Sequence, residues 1–171
     1  IIKANILNFE KIKEATKHCD LIIHLAAESH VDNSFELNNE FINTNVLGTK
    51  NVMQACKENK VKKIIHVSTD EIYGEIFNGN FDESAKFNPS NPYSSSKAAA
   101  EMIVNGYIHS YKLPVMIVRA NNIFGTRQHP EKLIGGCCWS FIKNKKFTIH
   151  GKGVQKRTFL FTRDLCEALY I

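Results

Sequence analysis

The sequence lacks the long apolar run of a membrane helix, since no stretch approaches the ~20 apolar residues that span a bilayer. It also lacks metal-ligand spacing among its cysteines, which are Cys19, Cys56, Cys137, Cys138 and Cys166. Cysteines without a disulfide or metal pattern favour a reducing compartment. We therefore expect a cytoplasmic protein that makes no contact with a membrane.

Aromatic residues are not interleaved with the lysines, as a platform for stacked bases would require. The cluster Lys57, Lys60, Lys62 and Lys63 lies where a predicted helix ends, and cations stabilise that end of a helix. The formal net charge of +5 suits an anionic ligand without identifying one. We expect a solvated surface here and no nucleic-acid partner.

No methionine begins the chain, which starts at Ile1-Ile2-Lys3 and ends inside a predicted helix over 163–171. We therefore expect the sequence to be part of a longer protein.

Short apolar runs alternate with longer helical patterns. The runs predict buried strands at 21–25, 63–67 and 114–118. Helices are predicted over 39–58 and 91–111, the second beginning at Asn91-Pro92 with an N-cap and a first-turn proline. The predicted apolar face of the first helix comprises Ile42, Val46, Thr49, Met53 and Cys56. In the second helix, Ala99, Met102, Gly106 and His109 lie along one face.

Alternating strands and helices predict an α/β fold, a doubly wound parallel sheet with right-handed crossovers. We expect residues 1–121 to form part of a Rossmann-like domain that carries the catalytic groups. Residues 122–171 should form part of a smaller substrate-binding lobe, interleaved with the last elements of that domain, with a helix over 132–143 and a strand over 147–150. The glycine-rich loop that holds a dinucleotide pyrophosphate in such folds is missing from this chain.

A hydroxyl and two carboxylates follow the second predicted strand directly, at Thr69, Asp70 and Glu71. Parallel sheets bind ligands just outside the carboxyl ends of their strands. Two adjacent carboxylates can divide acid and base roles if their surroundings separate their pKa values. An acidic turn that ends a strand would show the same residues, because Asp is common in turns.

A phenol and an ammonium, Tyr93 and Lys97, are four residues apart on one face of the second predicted helix. A nearby ammonium favours the phenolate, so we expect Lys97 to lower the pKa of Tyr93 and make it a base for a hydroxyl group. The spacing alone also fits a surface pair. Its position at the start of a helix, after a loop that joins two crossover units, favours the catalytic interpretation.

Three further features have two interpretations each. Ala26 and Ala27 are small enough for a ligand to approach the backbone, or for close packing of a helix on the sheet. His24 and His66 lie inside apolar strands and could be hydrogen-bonded core histidines or ligands, of which we expect the core role. Arg157, in a polar turn, could bind a diphosphate through two hydrogen bonds or form a surface salt bridge.

These motifs together resemble the extended short-chain dehydrogenase/reductase family, and within it the nucleoside-diphosphate-glucose 4,6-dehydratases. The segments that carry the resemblance are HLAAESHVDNS (24–34), TNVLGT (44–49), HVSTDEIYGE (66–75), NPYSSSKAAAE (91–101), NNIFG (121–125), HPEKLI (129–134) and HGKGVQKR (150–157). They follow the family's order and cover almost the whole chain. The pair Asp70-Glu71 resembles the dTDP- and UDP-glucose dehydratases, whereas related decarboxylases usually have Ser-Glu there and epimerases have small or apolar residues.

The resemblance implies a mechanism. Tyr93, with Thr69 and Lys97, would deprotonate the sugar 4-hydroxyl while tightly bound NAD takes the C4 hydride. Glu71 would remove the C5 proton, Asp70 would protonate the departing 6-hydroxyl, and the hydride would return to C6. The product would be a 4-keto-6-deoxy sugar of the kind found in rhamnose biosynthesis.

The resemblance also implies binding residues and a partner. Cofactor contacts would come from Ala26, Ala27, Tyr93 and Lys97. Substrate contacts would come from Ser29, His30, Asn121, Lys132, Leu133 and Arg157. A homodimer would form through the helices 39–58 and 93–111. No metal is implied.

The alternatives to this function are another nucleotide-sugar modifier, such as a decarboxylase or epimerase, and a non-catalytic member that binds a nucleotide sugar. The isolated 171-residue chain is expected to be inactive and to bind NAD weakly.

Overall fold

The structure is a computed structural model that describes residues 1–76, 78–149 and 151–170. It divides into two compact units, Ile1–Arg119 and Ala120–Ile171. The division into functional domains at residue 121 stays a prediction. Within the described residues, no helix has the length and apolarity needed to cross a membrane.

The first unit is an α/β layer structure, as predicted. Its strands form a sheet in the order β1-β2-β3, and β1 and β2 are parallel, with His24 opposite His66. The elements that follow one another along this part of the chain are α1 (Phe9–Ala15), β1 (Leu21–His24), α2 (Val31–Glu36), α3 (Asn38–Phe41), a π-helical turn (Ile42–Gly48), α4 (Thr49–Glu58), β2 (Lys63–Thr69), a 3₁₀ turn (Asp70–Tyr73), α5 (Pro92–Tyr111) and β3 (Val115–Ala120).

The second unit contains a small parallel pair of strands. Residues Asn122–Phe124 form β4, which pairs with β5 over Phe159–Phe161. Two helices accompany them, α6 over Leu133–Ile142 and α7 over Thr162–Tyr170. The strand predicted over 147–150 is wrong at residues 147–149, which are irregular. His150 of that prediction and Ile171 of the predicted last helix lie outside the described residues.

The helix predicted over 39–58 is present but is not uniform, because it passes through α3, the π turn and α4. Thr49, Met53 and Cys56 are buried as predicted. Ile42 is 43% exposed, so its assignment to the apolar face is wrong. Ile42 is the first residue of the π turn, whose wider spacing of hydrogen bonds shifts it off the face that continues into α4.

Helix α5 begins as predicted, and its first turn explains why. The Asn91 side chain accepts a hydrogen bond from the Ser94 amide at 2.8 Å, while Ser94 Oγ accepts from the Asn91 amide at 3.2 Å. Pro92 occupies a first-turn position, where a missing amide proton costs nothing. The reciprocal cap fixes the start of the helix one residue before Tyr93.

The main core of the first unit lies between the sheet and the helices α4 and α5. It is built from buried apolar residues of these elements and of the segments that connect them, namely Val52, Met53, Cys56, Val61, Ile64, Val104 and Leu113. Toward the carboxyl ends of the strands the interior becomes polar. His24 Nε2 hydrogen-bonds Thr49 Oγ1 at 2.9 Å, whereas both ring nitrogens of the fully buried His66 have no hydrogen-bond partner among the described residues. Both are core histidines, as expected.

Burial of these histidines predicts a loss of stability in acid. Desolvation lowers the pKa of His24 to about 4 and that of His66 to about 2, so the folded protein keeps both rings neutral. Unfolded histidines bind protons below about pH 6.5, so the free energy of unfolding should fall between pH 6.5 and 4, by up to about 1.4 kcal/mol per pH unit for each histidine. Urea unfolding followed by circular dichroism measures this slope.

The variant His66→Leu should reduce that slope, because it removes one group that takes up a proton on unfolding. The exposed His109 of α5 provides the control, and His109→Gln should leave the slope as in the wild type. An equal slope in wild type and His66→Leu would contradict the prediction.

Candidate active site

The carboxylates predicted to act in catalysis lie in a 3₁₀ turn at the end of β2. Thr69 is the last residue of the strand and the N-cap of the 3₁₀ turn, and its Oγ1 accepts a hydrogen bond from the Glu71 amide at 3.2 Å. The same hydroxyl lies 3.3 Å from Asp70 Oδ1, to which it can donate. The strand end thus places one hydroxyl and two carboxylates within a single turn.

The N-terminus of α5 faces this turn. The Asn91 side-chain nitrogen Nδ2 donates to Glu71 Oε2 at 3.4 Å, so the residue that caps the helix also binds a candidate catalytic carboxylate. Tyr93 is buried and shares a hydrogen bond with the Thr69 hydroxyl. One helical turn later, the buried Lys97 donates from Nζ to the Val67 carbonyl at 2.8 Å.

The structure therefore brings together all five candidate catalytic residues: Thr69, Asp70, Glu71, Tyr93 and Lys97. Two elements do this work, the carboxyl end of β2 and the first two turns of α5. Their roles in catalysis stay a prediction, because the arrangement alone does not identify a reaction.

The expected effect on Tyr93 is wrong in this structure. Burial, followed by the negative charge of Glu71, raises the pKa of Tyr93 to about 12, although the hydrogen bond from Thr69 opposes the rise. Burial also lowers the pKa of Lys97 to about 8, against the attraction of Glu101, which raises it. The sequence argument considered only the ammonium and omitted the cost of enclosing a phenolate near two carboxylates.

The loop after β1 carries the small residues proposed to contact a cofactor. Ala26 is exposed and lines an apolar groove of about 310 Å³ together with Ile6, Ile22 and Val52. Ala27 is half-buried beside it. Neither Tyr93 nor Lys97 is among the residues that line this groove, so a shared contact of these residues with a nicotinamide nucleotide stays a prediction.

A buried asparagine that the sequence argument did not single out fixes this loop. Asn45, 1% exposed in the π turn, accepts from the Glu28 amide at 2.8 Å and donates to the Glu28 carbonyl at 3.0 Å. It also donates to Ser96 Oγ at 2.8 Å, and that hydroxyl donates to the Tyr93 carbonyl at 2.7 Å. The sequence signal for this role was the polar side chain of Asn45 within a helix that was predicted to pack through an apolar face.

The proposed substrate residues fall in both units. In the first, Ser29 is exposed and His30 precedes α2 as its N-cap residue. In the second, Lys132 is the N-cap residue of α6 and Leu133 its first residue.

The other two proposed substrate residues of the second unit are exposed. Asn121 lies between β3 and β4, and Arg157 has Nη1 donating to the Lys156 carbonyl at 2.9 Å. The structure therefore places the catalytic candidates close together, while the substrate role of the six proposed binding residues stays a prediction.

Comparison with known proteins adds a family match. The model of the NAD dependent epimerase/dehydratase family matches residues 1–171. A dTDP-D-glucose 4,6-dehydratase of Dictyostelium discoideum is 44% identical over 182 residues, covering 99% of this chain and 42% of that protein. A trifunctional UDP-glucose 4,6-dehydratase/UDP-4-keto-6-deoxy-D-glucose 3,5-epimerase/UDP-4-keto-L-rhamnose-reductase of Arabidopsis thaliana is 42% identical, covering 100% of this chain and 26% of that protein.

A solved structure has the same fold. The crystal structure of the dTDP-glucose 4,6-dehydratase DesIV from Streptomyces venezuelae, with NAD and TYD bound, superposes with a TM-score of 0.94 at 36% identity. The match covers 97% of this chain and 52% of that one. The chain therefore spans about half the length of that structure, and less than half of each of the two curated relatives above.

The raised pKa of Tyr93 can be tested by near-ultraviolet titration. The difference in tyrosinate absorbance between wild type and Tyr93→Phe should develop near pH 12, well above the ordinary phenol pKa of about 10. Glu71→Gln should lower the pKa of Tyr93, because it removes the second-largest cause of the rise. Asp82→Asn, which alters an exposed carboxylate of the loop after the turn, is the control and should have no effect. A Tyr93 ionisation at or below pH 10 would contradict the prediction.

Proposed function

The chain belongs to the NAD dependent epimerase/dehydratase family, and we propose that its protein removes water from a nucleoside-diphosphate-glucose to give the 4-keto-6-deoxy sugar. The single observation that carries the proposal is the grouping of Thr69, Asp70 and Glu71 at the end of β2 with Tyr93 at the start of α5. The oxidation at C4 needs a base for the hydroxyl. The elimination of water then needs a base for the carbon-bound proton and an acid for the leaving oxygen. This turn and helix supply one candidate for each role.

Tyr93 is the proposed base for the sugar 4-hydroxyl, with Thr69 hydrogen-bonded to the same phenol oxygen. A phenol whose pKa is about 12 stays protonated at neutral pH, and it can act as a base only after nearby positive charge lowers that pKa. Lys97, on the same helix face, is the buried cation that the described part of the site offers.

The two carboxylates have separate proposed roles. Glu71, which accepts from the Asn91 side-chain nitrogen Nδ2, is the proposed base that would remove the C5 proton and return it to C5 when the hydride reaches C6. Asp70, next to the Thr69 hydroxyl, would deliver a proton to the departing 6-hydroxyl, which leaves as water. The C5 proton is acidic enough to remove only once C4 is a ketone, so oxidation must come before elimination.

Bound NAD would supply the oxidation at C4 and the reduction at C6. The residues that we propose to hold it are Ala26 and Ala27 at the groove after β1, and Tyr93 and Lys97 beside its ribose. The substrate's nucleotide and sugar would be bound by the six residues that the resemblance implies: Ser29, His30, Asn121, Lys132, Leu133 and Arg157. Support for the nucleotide-sugar class comes from the relatives' names, which include both dTDP- and UDP-glucose 4,6-dehydratases.

Asp70 favours a dehydratase over the family's other activities. A decarboxylase or an epimerase does not expel the C6 hydroxyl as water and therefore needs no acid beside it.

The free cysteines support a cytoplasmic location, since a reducing compartment keeps thiols unpaired.

Mass spectrometry tests the reaction. The protein in its full natural length, incubated with NAD and either UDP-glucose or dTDP-glucose, should convert one of them to a product lighter by one water. Asp70→Asn and Glu71→Gln should each lower kcat by about 10²–10⁴, the usual contribution of a positioned acid or base. The exposed residues Asp82 and Glu75 provide matched controls, and Asp82→Asn and Glu75→Gln should keep wild-type activity.

Other products would overturn the proposal in specific ways. Loss of carbon dioxide from UDP-glucuronate would identify a decarboxylase, and a new epimer of unchanged mass would identify an epimerase. Binding of the nucleotide sugar without any turnover would favour the non-catalytic alternative.

We further propose a homodimer through the helical segments 39–58 and 93–111. Support comes from apolar side chains that these segments leave exposed, including Leu47 at 49% and Met102 at 51%. Sedimentation velocity should give a dimer for the wild type and a monomer for Met102→Lys, because burying an unpaired ammonium is costly. Glu14→Lys, at an exposed position of α1 outside both segments, is the control that should stay dimeric. A monomeric wild type would exclude the dimer.

A further inference from the structure

A buried ion pair lies one helical turn beyond Lys97. Glu101 of α5 is 0% exposed, and its carboxylate is bound by Arg119 of β3. The Arg119 Nε donates to both carboxylate oxygens, at 3.0 and 3.2 Å, and Nη2 donates to Oε1. A carboxylate removed from water needs such a partner, because an unpaired buried charge destabilises the fold strongly.

The remaining nitrogen of Arg119 extends the pair to the catalytic turn. Nη1 donates to the Tyr73 hydroxyl and to the Glu83 carbonyl, the latter at 2.9 Å. The guanidinium also lies over two aromatic rings, with its carbon 5.3 Å from the Tyr73 ring centre and 5.1 Å from that of Phe87. One side chain therefore contacts α5, the 3₁₀ turn and the loop that follows it.

Tyr73 is the last residue of the turn that carries Asp70 and Glu71. Next to it, the Ile72 carbonyl accepts a hydrogen bond from the Asn88 amide at 2.9 Å. Gly74 then adopts φ of +81°, and a Cβ there would lie 2.3 Å from the Asn88 carbonyl oxygen. The turn and the loop are therefore packed backbone to backbone, and Arg119 links both to the helix of Tyr93.

We propose that Glu101 and Arg119 form a positioning pair that sets the distance between the carboxylate turn and Tyr93. The inference rests on the proposed function, since it assigns the pair to the acid and base of that reaction. Neither residue belongs to the catalytic set at the end of β2, so the pair acts through Tyr73 and not by contact with reacting groups. A planar guanidinium can reach Glu101, Tyr73 and Glu83 at once, whereas a lysine ammonium cannot match that fork.

Two variants test the pair without leaving Glu101 unpaired. Tyr73→Phe removes only the hydroxyl that joins Arg119 to the turn. Arg119→Lys keeps a cation beside Glu101 but loses the other contacts. The matched control is Tyr107→Phe, which removes a Tyr hydroxyl of α5 that donates to Gln54 Oε1 at 3.0 Å, remote in sequence from the turn.

The experiment has two measurements on the protein in its full natural length. Steady-state kinetics with the nucleotide sugar should show kcat lower by about tenfold or more in Arg119→Lys, since small misplacements of acid and base are costly. KM should change less than about twofold, because the pair makes no uniform contribution to substrate binding. Hydrogen exchange should show faster exchange of the amides of residues 70–76 in both variants and an unchanged rate in Tyr107→Phe.

The exchange and kinetic results together decide whether Glu101 and Arg119 position the turn. Faster exchange together with lower kcat at constant KM supports the positioning pair. Unchanged exchange in Arg119→Lys, or faster exchange with wild-type kcat, overturns it. A wild type that converts neither UDP-glucose nor dTDP-glucose refutes the proposed function, and the exchange data then still show whether the pair holds the turn.

Discussion

The burial of three polar side chains on one face of α5 determines how that helix lies on the sheet. Tyr93, Lys97 and Glu101 are four residues apart and are all buried. Buried polar groups require partners, and a buried charge without one is costlier than any single apolar contact. The partners come from strand residues, the Val67 carbonyl, the Thr69 hydroxyl and the Arg119 guanidinium, so the helix can satisfy all three in one register only.

A second set of hydrogen bonds holds the opposite flank of the same helix. Asn45 binds both backbone groups of Glu28 and the hydroxyl of Ser96, which lies next to Lys97 in the chain. The π turn that contains Asn45 is where the regular helical hydrogen bonding changes, and such turns occur frequently at functional sites. The loop after β1 and the helix of Tyr93 are therefore tied together by one amide.

Local signals in the sequence predicted β1, β2 and β3, the start of α5 and the position of the carboxylate turn, because apolar runs and caps act over a few residues. The buried face of α5 could not be predicted in that way. The face with Met102 and His109 is exposed, while the buried face carries a lysine and a glutamate. Burial of those charges depends on partners such as Arg119, 18 positions from Glu101, and no local pattern encodes such a pairing.

The candidate site combines opposing electrostatic demands. Elimination of water needs carboxylates near the phenol, yet the charge of Glu71 and the burial of Tyr93 both raise the pKa of that phenol. Moving the 3₁₀ turn toward α5 would increase this repulsion, and moving it away would withdraw the acid and base from a shared substrate. In the proposed reaction, the separation between turn and helix would therefore control both the proton affinity of Tyr93 and the catalytic geometry. For this reason, contacts that fix the separation, from Asn91 at one end and Tyr73 at the other, matter as much as the reacting groups.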